Sequence, residues 1–232
     1  INCEYYKVTE DLEPDFSLLE KKNIKQNDFL LLVHYFGFSI TQKETVDFCK
    51  RKKIFLIEDC AHSIVKNIGK SIIGTQGDAG LFGLRKALPI PNGGVLFLKK
   101  GDFFLPKTLH TYPSEYRGIL KMIVQWFFQK LERHWRIKTK HVDKDHYPVM
   151  PKNYYYFDCR ETIGKWSEKI INTIELNEVV AKRRDNYQTF FSELSSIKSI
   201  RIPKSLNLEN DEVAPWVFFF YHDDSEKIIN ML

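Results

Sequence analysis

The residues able to do chemistry lie in two short stretches. The first, "IFLIEDCAHS" at 54–63, ends an apolar run on Glu58 and Asp59 and places His62 three residues beyond Asp59. The second, "GLFGLRKALPIPNGG" at 80–94, carries Lys86 inside a frame of glycines and prolines. A carboxylate at the carboxyl edge of a buried strand sits where open α/β sheets bind ligands. There it can hold a proton on a ligand nitrogen through a charge-assisted hydrogen bond. It can equally cap the next element while its neighbour faces solvent. A lysine amine adds to aldehydes when burial or nearby cations lower its pKa. Beside Arg85, Lys86 also reads as half of a solvated basic pair.

The company of these residues separates the two readings. Lys86 follows Asp59 after Gly-punctuated turns and is held between an apolar "GLFGL" and a stiff "PIPNGG" turn. An acid at a strand edge, a histidine close by and a framed lysine meet the needs of one cofactor, pyridoxal 5'-phosphate. Its aldehyde would take the lysine, its ring nitrogen would be kept protonated by the acid, and His62 would bond the ring hydroxyl or pack on the ring.

The elements that must position them alternate between strand and helix. "CEYYKV" reads as a strand, and "DFSLLEKKN" starts a helix capped by Asp15. "DFLLLVHYFGF" is a near-continuous apolar run of the kind found in buried parallel strands. "TQKETVDFCKRKK" offers Thr41 as N-cap, Glu44 three residues on and a basic last turn. "IFLIED" then gives another buried strand, so a mainly parallel sheet flanked by helices is expected. Short strands with tight glycine turns follow, and "GGVLFLKK" is one of them. From residue 114 the pattern changes. "SEYRGILKMIVQWFFQKLERHWRIK" has helical apolar spacing with a basic polar face, and a long helix or helix pair is expected over roughly 161–196. "SIRIP" and "APWVFFFYHDD" read as strands and "SEKIINML" as the start of a helix. The expected division is a large α/β domain over 1–113 and long helices with a small α+β domain over 114–232.

Composition narrows the function classes. The chain has 232 residues, 43% hydrophobic, 14% aromatic and 28% charged, with a formal net charge of +5, which fits a globular protein with a substantial core. The basic residues are too diffuse for a nucleic-acid interface, although they suit an anionic ligand. Cys3, Cys49, Cys60 and Cys159 have neither zinc nor disulfide-framework spacing, so a reduced, cytoplasmic setting is expected. No apolar run approaches the roughly 18 residues of a membrane helix, so no membrane insertion is expected. The aromatic basic stretch near Lys121–Lys140 could lie on an anionic membrane surface. Alternatively, its aromatics pack on the large domain and its bases face water. His34, on an apolar strand, reads as a packed core residue, and Cys60 as a small buried filler.

"LVHYFGF", "LIEDCAHS", "GTQGDAGLFGLRK" and "LPIPNGGVLFL", in this order, resemble the DegT/DnrJ/EryC1/StrS family of aminotransferases. The likeness is dense over about 28–99 and followable through "AKRRDNY" and "APWVFFF". It implies a pyridoxal-phosphate enzyme of fold type I with a partial large domain and a smaller α+β C-terminal domain, acting as a homodimer. The implied reaction moves an amino group from an amino-acid donor, glutamate or glutamine, to a keto sugar carried on a nucleotide. By the same resemblance Asp59 pairs with the ring nitrogen, His62 stands beside the ring, and Lys86 binds the aldehyde and shuttles the proton. Two departures accompany it. Gly83 occupies the place where the family commonly has a phosphate-binding serine, leaving only a backbone N–H. Nothing before residue 28 resembles the family's phosphate-gripping loop at a helix N-terminus. A non-catalytic relative that keeps the fold as a dimerisation or scaffold module is the alternative reading.

Overall fold

The computed structural model describes residues 2–40, 42–66, 73–99, 110–111, 120, 123–124, 127, 161–209 and 212–226. The chain forms two compact units. One comprises Ile1–Leu88, Gly94–Phe103 and Ile174–Leu232, and the other Pro89–Gly93 and Phe104–Thr173.

The first unit begins with α1 (Phe16–Leu19), a single turn capped by Asp15, whose carboxylate accepts from the Leu18 N–H. β1 (Phe29–Val33), α2 (Gln42–Lys52) and β2 (Phe55–Cys60) follow as a β-α-β unit, and β1 pairs with β2 in parallel. The last turn of α2 is basic, with Lys50, Arg51 and Lys52, which complements its dipole. Its expected cap, Thr41, lies outside the described residues. β3 (Ile64–Val65), β4 (Ala79–Phe82), the short helix α3 (Leu84–Ala87) and β5 (Val95–Leu98) come next. The sheet runs β1-β2-β4-β5, with the first three strands parallel and β5 antiparallel to β4. The mainly parallel sheet is as expected, and Lys86 stands on a helical turn between its last two strands.

One face of the sheet is covered. Leu30, Leu32 and Leu56 pack with Leu19 of α1, Phe48 and Cys49 of α2, and Ile54. The alternate residues Phe29, Leu31, Phe55, Leu81 and Leu96 are exposed on the other face. The apolar run of β1 therefore does not mean burial on both sides here. The expected strand at residues 3–8 does not form. Only Val8 pairs, in an isolated bridge to Pro14. Tyr6 is held instead by its side chain, which packs on the core and donates its hydroxyl to the Leu31 carbonyl at 2.9 Å.

In the second unit, β6 (His110–Thr111) pairs with β7 (Glu161–Thr162), and α4 (Lys165–Thr173) follows. The chain re-enters the first unit with α5 (Leu176–Leu194), so the helix pair expected over 161–196 is present. Tyr187 of α5 packs with Leu12, Phe38, Ile40 and Leu206 and donates its hydroxyl to the Leu206 carbonyl at 2.7 Å. β8 (Ile200–Arg201), β9 (Val213–Ala214) and β10 (Tyr221–His222) complete the unit, β9 pairing with β3 and β10 with β8. Between β9 and β10 the run "PWVFFF" is irregular and not the strand expected. Its rings are committed to ring contacts: Phe219 stacks on Phe36, and Phe218 meets Tyr187 at a tilt.

Candidate active site

Period-two alternation sends the two acids of "ED" to opposite faces of β2. Glu58 turns into the core and is fully buried. Its carboxylate accepts from the backbone N–H groups of Gly74, Gln76 and Gly77 at 3.0, 2.8 and 2.7 Å, and from His34 Nε2 at 2.9 Å. The Ile40 N–H donates to His34 Nδ1 at 3.2 Å, so the ring proton sits on Nε2 and points at Glu58. Burial pushes the Glu58 pKa up. The hydrogen bonds from His34 and from the Gly77 and Gly74 amides outweigh it and hold the carboxyl below its ordinary value. His34 is thus the packed, hydrogen-bonded core residue expected. Cys60 is fully buried, and burial pushes its thiol pKa up, as a filler's would be.

Asp59, on the opposite face, is half-buried, and its Oδ1 accepts from the Ala61 N–H at 2.9 Å. That bond turns the chain at the strand end and brings His62 back over it. The His62 ring stacks on Trp216 (centroids 4.3 Å apart, 23° between planes) and lies nearly parallel to Phe36 (6.5 Å, 6°). Phe36 has a left-handed backbone, φ 55°, and is followed by Gly37 at φ 92°. A Cβ at Gly37 would stand 2.6 Å from the Ala214 carbonyl oxygen and 3.0 Å from that of His62. Only glycine lets the β1 exit, the His62 turn and the Ala214–Trp216 segment approach so closely. The Trp216 N–H closes the junction by donating to the Phe36 carbonyl at 2.7 Å.

Lys86 is exposed on α3, its N–H bonded to the Gly83 carbonyl at 3.0 Å. The pKa of His62 is lowered, first by burial and then by the Lys86 charge, while the Asp59 charge pulls the other way. Lys86 and Asp59 therefore both act on one imidazole, and the three residues singled out in the sequence share one locality. Asp59 also raises the Tyr35 pKa, after burial, so the phenol stands within reach of the same charge. Gly83 caps α3. A Cβ there would lie 2.9 Å from the Ala61 carbonyl oxygen and 3.3 Å from Ala61 Cα. A serine in this place requires the backbone to move, which accounts for the glycine. The far end of α3 is pinned by Arg183 Nη2, which donates to the Ala87 carbonyl at 2.9 Å.

Tyr35, Phe36, Trp216 and Arg183 were not found from residue chemistry. The available signals were "YFG" at the end of the preceding strand, the tryptophan in "PWVFFF" and the bases in "AKRRDNY". Among the described residues no group of His, Cys, Asp and Glu is arranged to hold a metal ion. The donor set fits pyridoxal phosphate at two ends: an amine for the aldehyde, and a half-buried carboxylate for the ring nitrogen.

Residues 8–103 match the model of the DegT/DnrJ/EryC1/StrS aminotransferase family. GDP-perosamine synthase of Vibrio cholerae is 27% identical over 101 residues, 43% of this chain and 28% of that enzyme. Among solved structures, the aminotransferase TlmJ from Streptoalloteichus hindustanus superposes with a TM-score of 0.50 at 17% identity, covering 90% of this chain and 49% of TlmJ. AtS13 from Actinomadura melliaura gives 0.51 at 19% identity, covering 94% of this chain and 54% of AtS13. The chain thus spans about half the length of these structures. The structural likenesses establish the fold alone, an α/β architecture that the chain shares with part of each of these structures.

Proposed function

We propose that this chain is the catalytic-lysine part of a pyridoxal-phosphate-dependent sugar aminotransferase. The observation that carries the reading is the match of residues 8–103 to the family, with Asp59 at the carboxyl end of the parallel strand β2, His62 just beyond it and Lys86 on the helical turn that follows β4. The amino donor would be an amino acid, glutamate in the first instance, and the acceptor a keto sugar. The name of the Vibrio cholerae relative supports a nucleotide-linked sugar. A homodimer in the cytoplasm completes the proposal.

When bound, pyridoxal phosphate supplies an aldehyde that captures an amine nitrogen and an aromatic ring that withdraws electrons from the neighbouring carbon. Lys86 Nζ would hold that aldehyde and would carry the proton between the substrate α-carbon and the C4′ carbon of the cofactor. The Asp59 carboxylate holds the proton on the ring nitrogen through a charge-assisted hydrogen bond. His62, kept in plane by Trp216, gives the ring a flat wall, and its lowered pKa favours the neutral imidazole beside the Lys86 ammonium. Gly83 contributes its N–H at the start of α3 but no hydroxyl.

The test is covalent trapping. The chain is mixed with pyridoxal phosphate, reduced with borohydride, digested and mapped by mass spectrometry. A single dominant adduct on Lys86, lost in Lys86→Ala and weakened about tenfold or more in Asp59→Asn, is the expected result. Adducts spread over several lysines, with no preference for Lys86, would replace this reading with the non-catalytic scaffold. The blocked Cβ space at Gly83 favours that second reading, because the phosphate receives no hydroxyl there.

A further inference from the structure

We infer that Arg183 is a positioning residue for Lys86, its guanidinium fixing the carbonyl end of α3 and with it the approach of the lysine amine to an aldehyde. The inference rests on the proposed cofactor reading and names a residue, far from Lys86 in sequence, that this chemistry needs. α3 is a single turn, and a helix this short does not hold itself. Gly83 at its start offers no capping side chain. The turn is closed by the Lys86 N–H on the Gly83 carbonyl at 3.0 Å and the Leu88 N–H on the Leu84 carbonyl at 2.8 Å. Leu84 and Leu88 are buried, whereas Arg85 and Lys86 are exposed. Apolar anchors thus flank the lysine and set the rotation of the turn. Its far end, the Ala87 carbonyl, is fixed from elsewhere: Arg183 Nη2 donates to it at 2.9 Å from 96 residues further along the chain.

The helix that carries Arg183 is itself firmly seated. Val180, Arg183, Arg184 and Tyr187 follow at i, i+3, i+4 and i+7 on one stripe of α5. Val180 and Tyr187 are buried, and Arg184 Nη2 donates to the Leu208 carbonyl at 2.8 Å. The Arg183 guanidinium is half-buried, and among the described residues its one hydrogen-bond partner is the Ala87 carbonyl, with no carboxylate paired to it. Burial without a counter-charge holds its pKa below the ordinary arginine value. Water can satisfy a carbonyl at the end of a turn, and withdrawing a cation from water to replace that water opposes stability. The arrangement makes sense where the geometry of the turn matters. Capture of an aldehyde needs the amine in a narrow near-attack geometry, and a misplacement of about 1 Å costs on the order of a hundredfold in rate.

The test follows trapping at Lys86. The chain and its variants are mixed with pyridoxal phosphate over a range of concentrations and reduced with borohydride at timed intervals. The Lys86 adduct is then quantified by mass spectrometry. Arg183→Met keeps the apolar stem but loses the donor. It should lower the limiting rate of Lys86 trapping about tenfold or more, with the half-saturating concentration unchanged. Arg183→Lys, which keeps a cationic donor, should recover part of that rate. Arg184→Met, on the same stripe, should leave the rate unchanged. Amide hydrogen exchange over residues 84–88 should accelerate in Arg183→Met and not in Arg184→Met. Urea unfolding checks that each variant folds, and Arg183→Gln replaces Arg183→Met should the latter not fold. Trapping by Arg183→Met at the parent rate, an equal loss in Arg184→Met, or no recovery in Arg183→Lys each overturns the inference. In those cases a dominant Lys86 adduct in the parent chain leaves the cofactor reading standing. Adducts scattered over several lysines of the parent chain overturn the cofactor reading, and this inference with it.

Discussion

At the scale of single residues the site is organised around one imidazole. Three influences act on His62: burial and the Lys86 charge lower its pKa, and the Asp59 charge raises it. The signs predict a diagnostic series. In a proton NMR titration, His62 should titrate below the ordinary histidine value of 6.5. Lys86→Ala removes a like charge and should move the midpoint up, whereas Asp59→Asn removes the opposing carboxylate and should move it further down. Folding linkage follows the same sign. A histidine with a folded-state pKa below its unfolded value favours the native state above that unfolded value, and this contribution fades as pH falls through the folded pKa. If neither substitution moves the midpoint, the three residues do not share a locality in solution. Trp216 supplies an internal control, since its indole stacked at 4.3 Å should shift the His62 ring protons upfield until Trp216→Ala releases them.

At the scale of elements, the loop 73–77 and strand β2 form one unit through Glu58. Three backbone amides and an imidazole converge on a carboxylate without solvent. Glu58→Gln keeps the shape but turns an amide NH2 toward N–H groups that need an acceptor, at an expected cost of roughly 2–4 kcal/mol in denaturant unfolding. The pKa of Glu58 is below its ordinary 4.5 in the folded protein. Its stabilisation is therefore complete above about pH 4.5 and is lost as pH falls through the lower folded value. The variant should lose that part of the acid sensitivity along with the stability. An unchanged unfolding midpoint would mean that the loop is anchored by other contacts.

The same element marks what the sequence made legible. The β-α-β order and the parallel pairing could be read, because apolar runs and the order of elements along the chain report them directly. Glu58 and Asp59 could be seen as a pair, but dividing their roles needed the actual face of β2 each occupies. Phe36 and Trp216 stayed hidden because their place beside His62 depends on a left-handed turn and on pairing across about 150 residues of chain, information that no local pattern holds. The false strand at "CEYYKV" has a related cause. Among the described residues its sole pairing is the bridge of Val8 to Pro14, and Tyr6 docks through its side chain instead.

At the scale of the whole molecule, the uncovered sheet face and the site are one problem. Cross-strand register puts Val33, Asp59, Leu81 and Leu96 in a row, so Asp59 opens onto the same face as the exposed Phe29, Leu31, Phe55, Leu81 and Leu96. Sheets of mainly parallel strands are ordinarily covered on both faces, and an apolar surface of this kind binds hydrophobic dyes. The isolated chain should therefore enhance anilinonaphthalene sulfonate fluorescence. Leu31→Lys combined with Leu96→Glu should cut that signal about twofold or more while leaving secondary structure intact. Whatever covers the face also shields Asp59 from water, which would strengthen its hold on a protonated ring nitrogen. Dye emission per chain that falls with rising protein concentration would identify a second copy as the cover. Emission that is concentration-independent and insensitive to both substitutions would show that the face is already closed in solution.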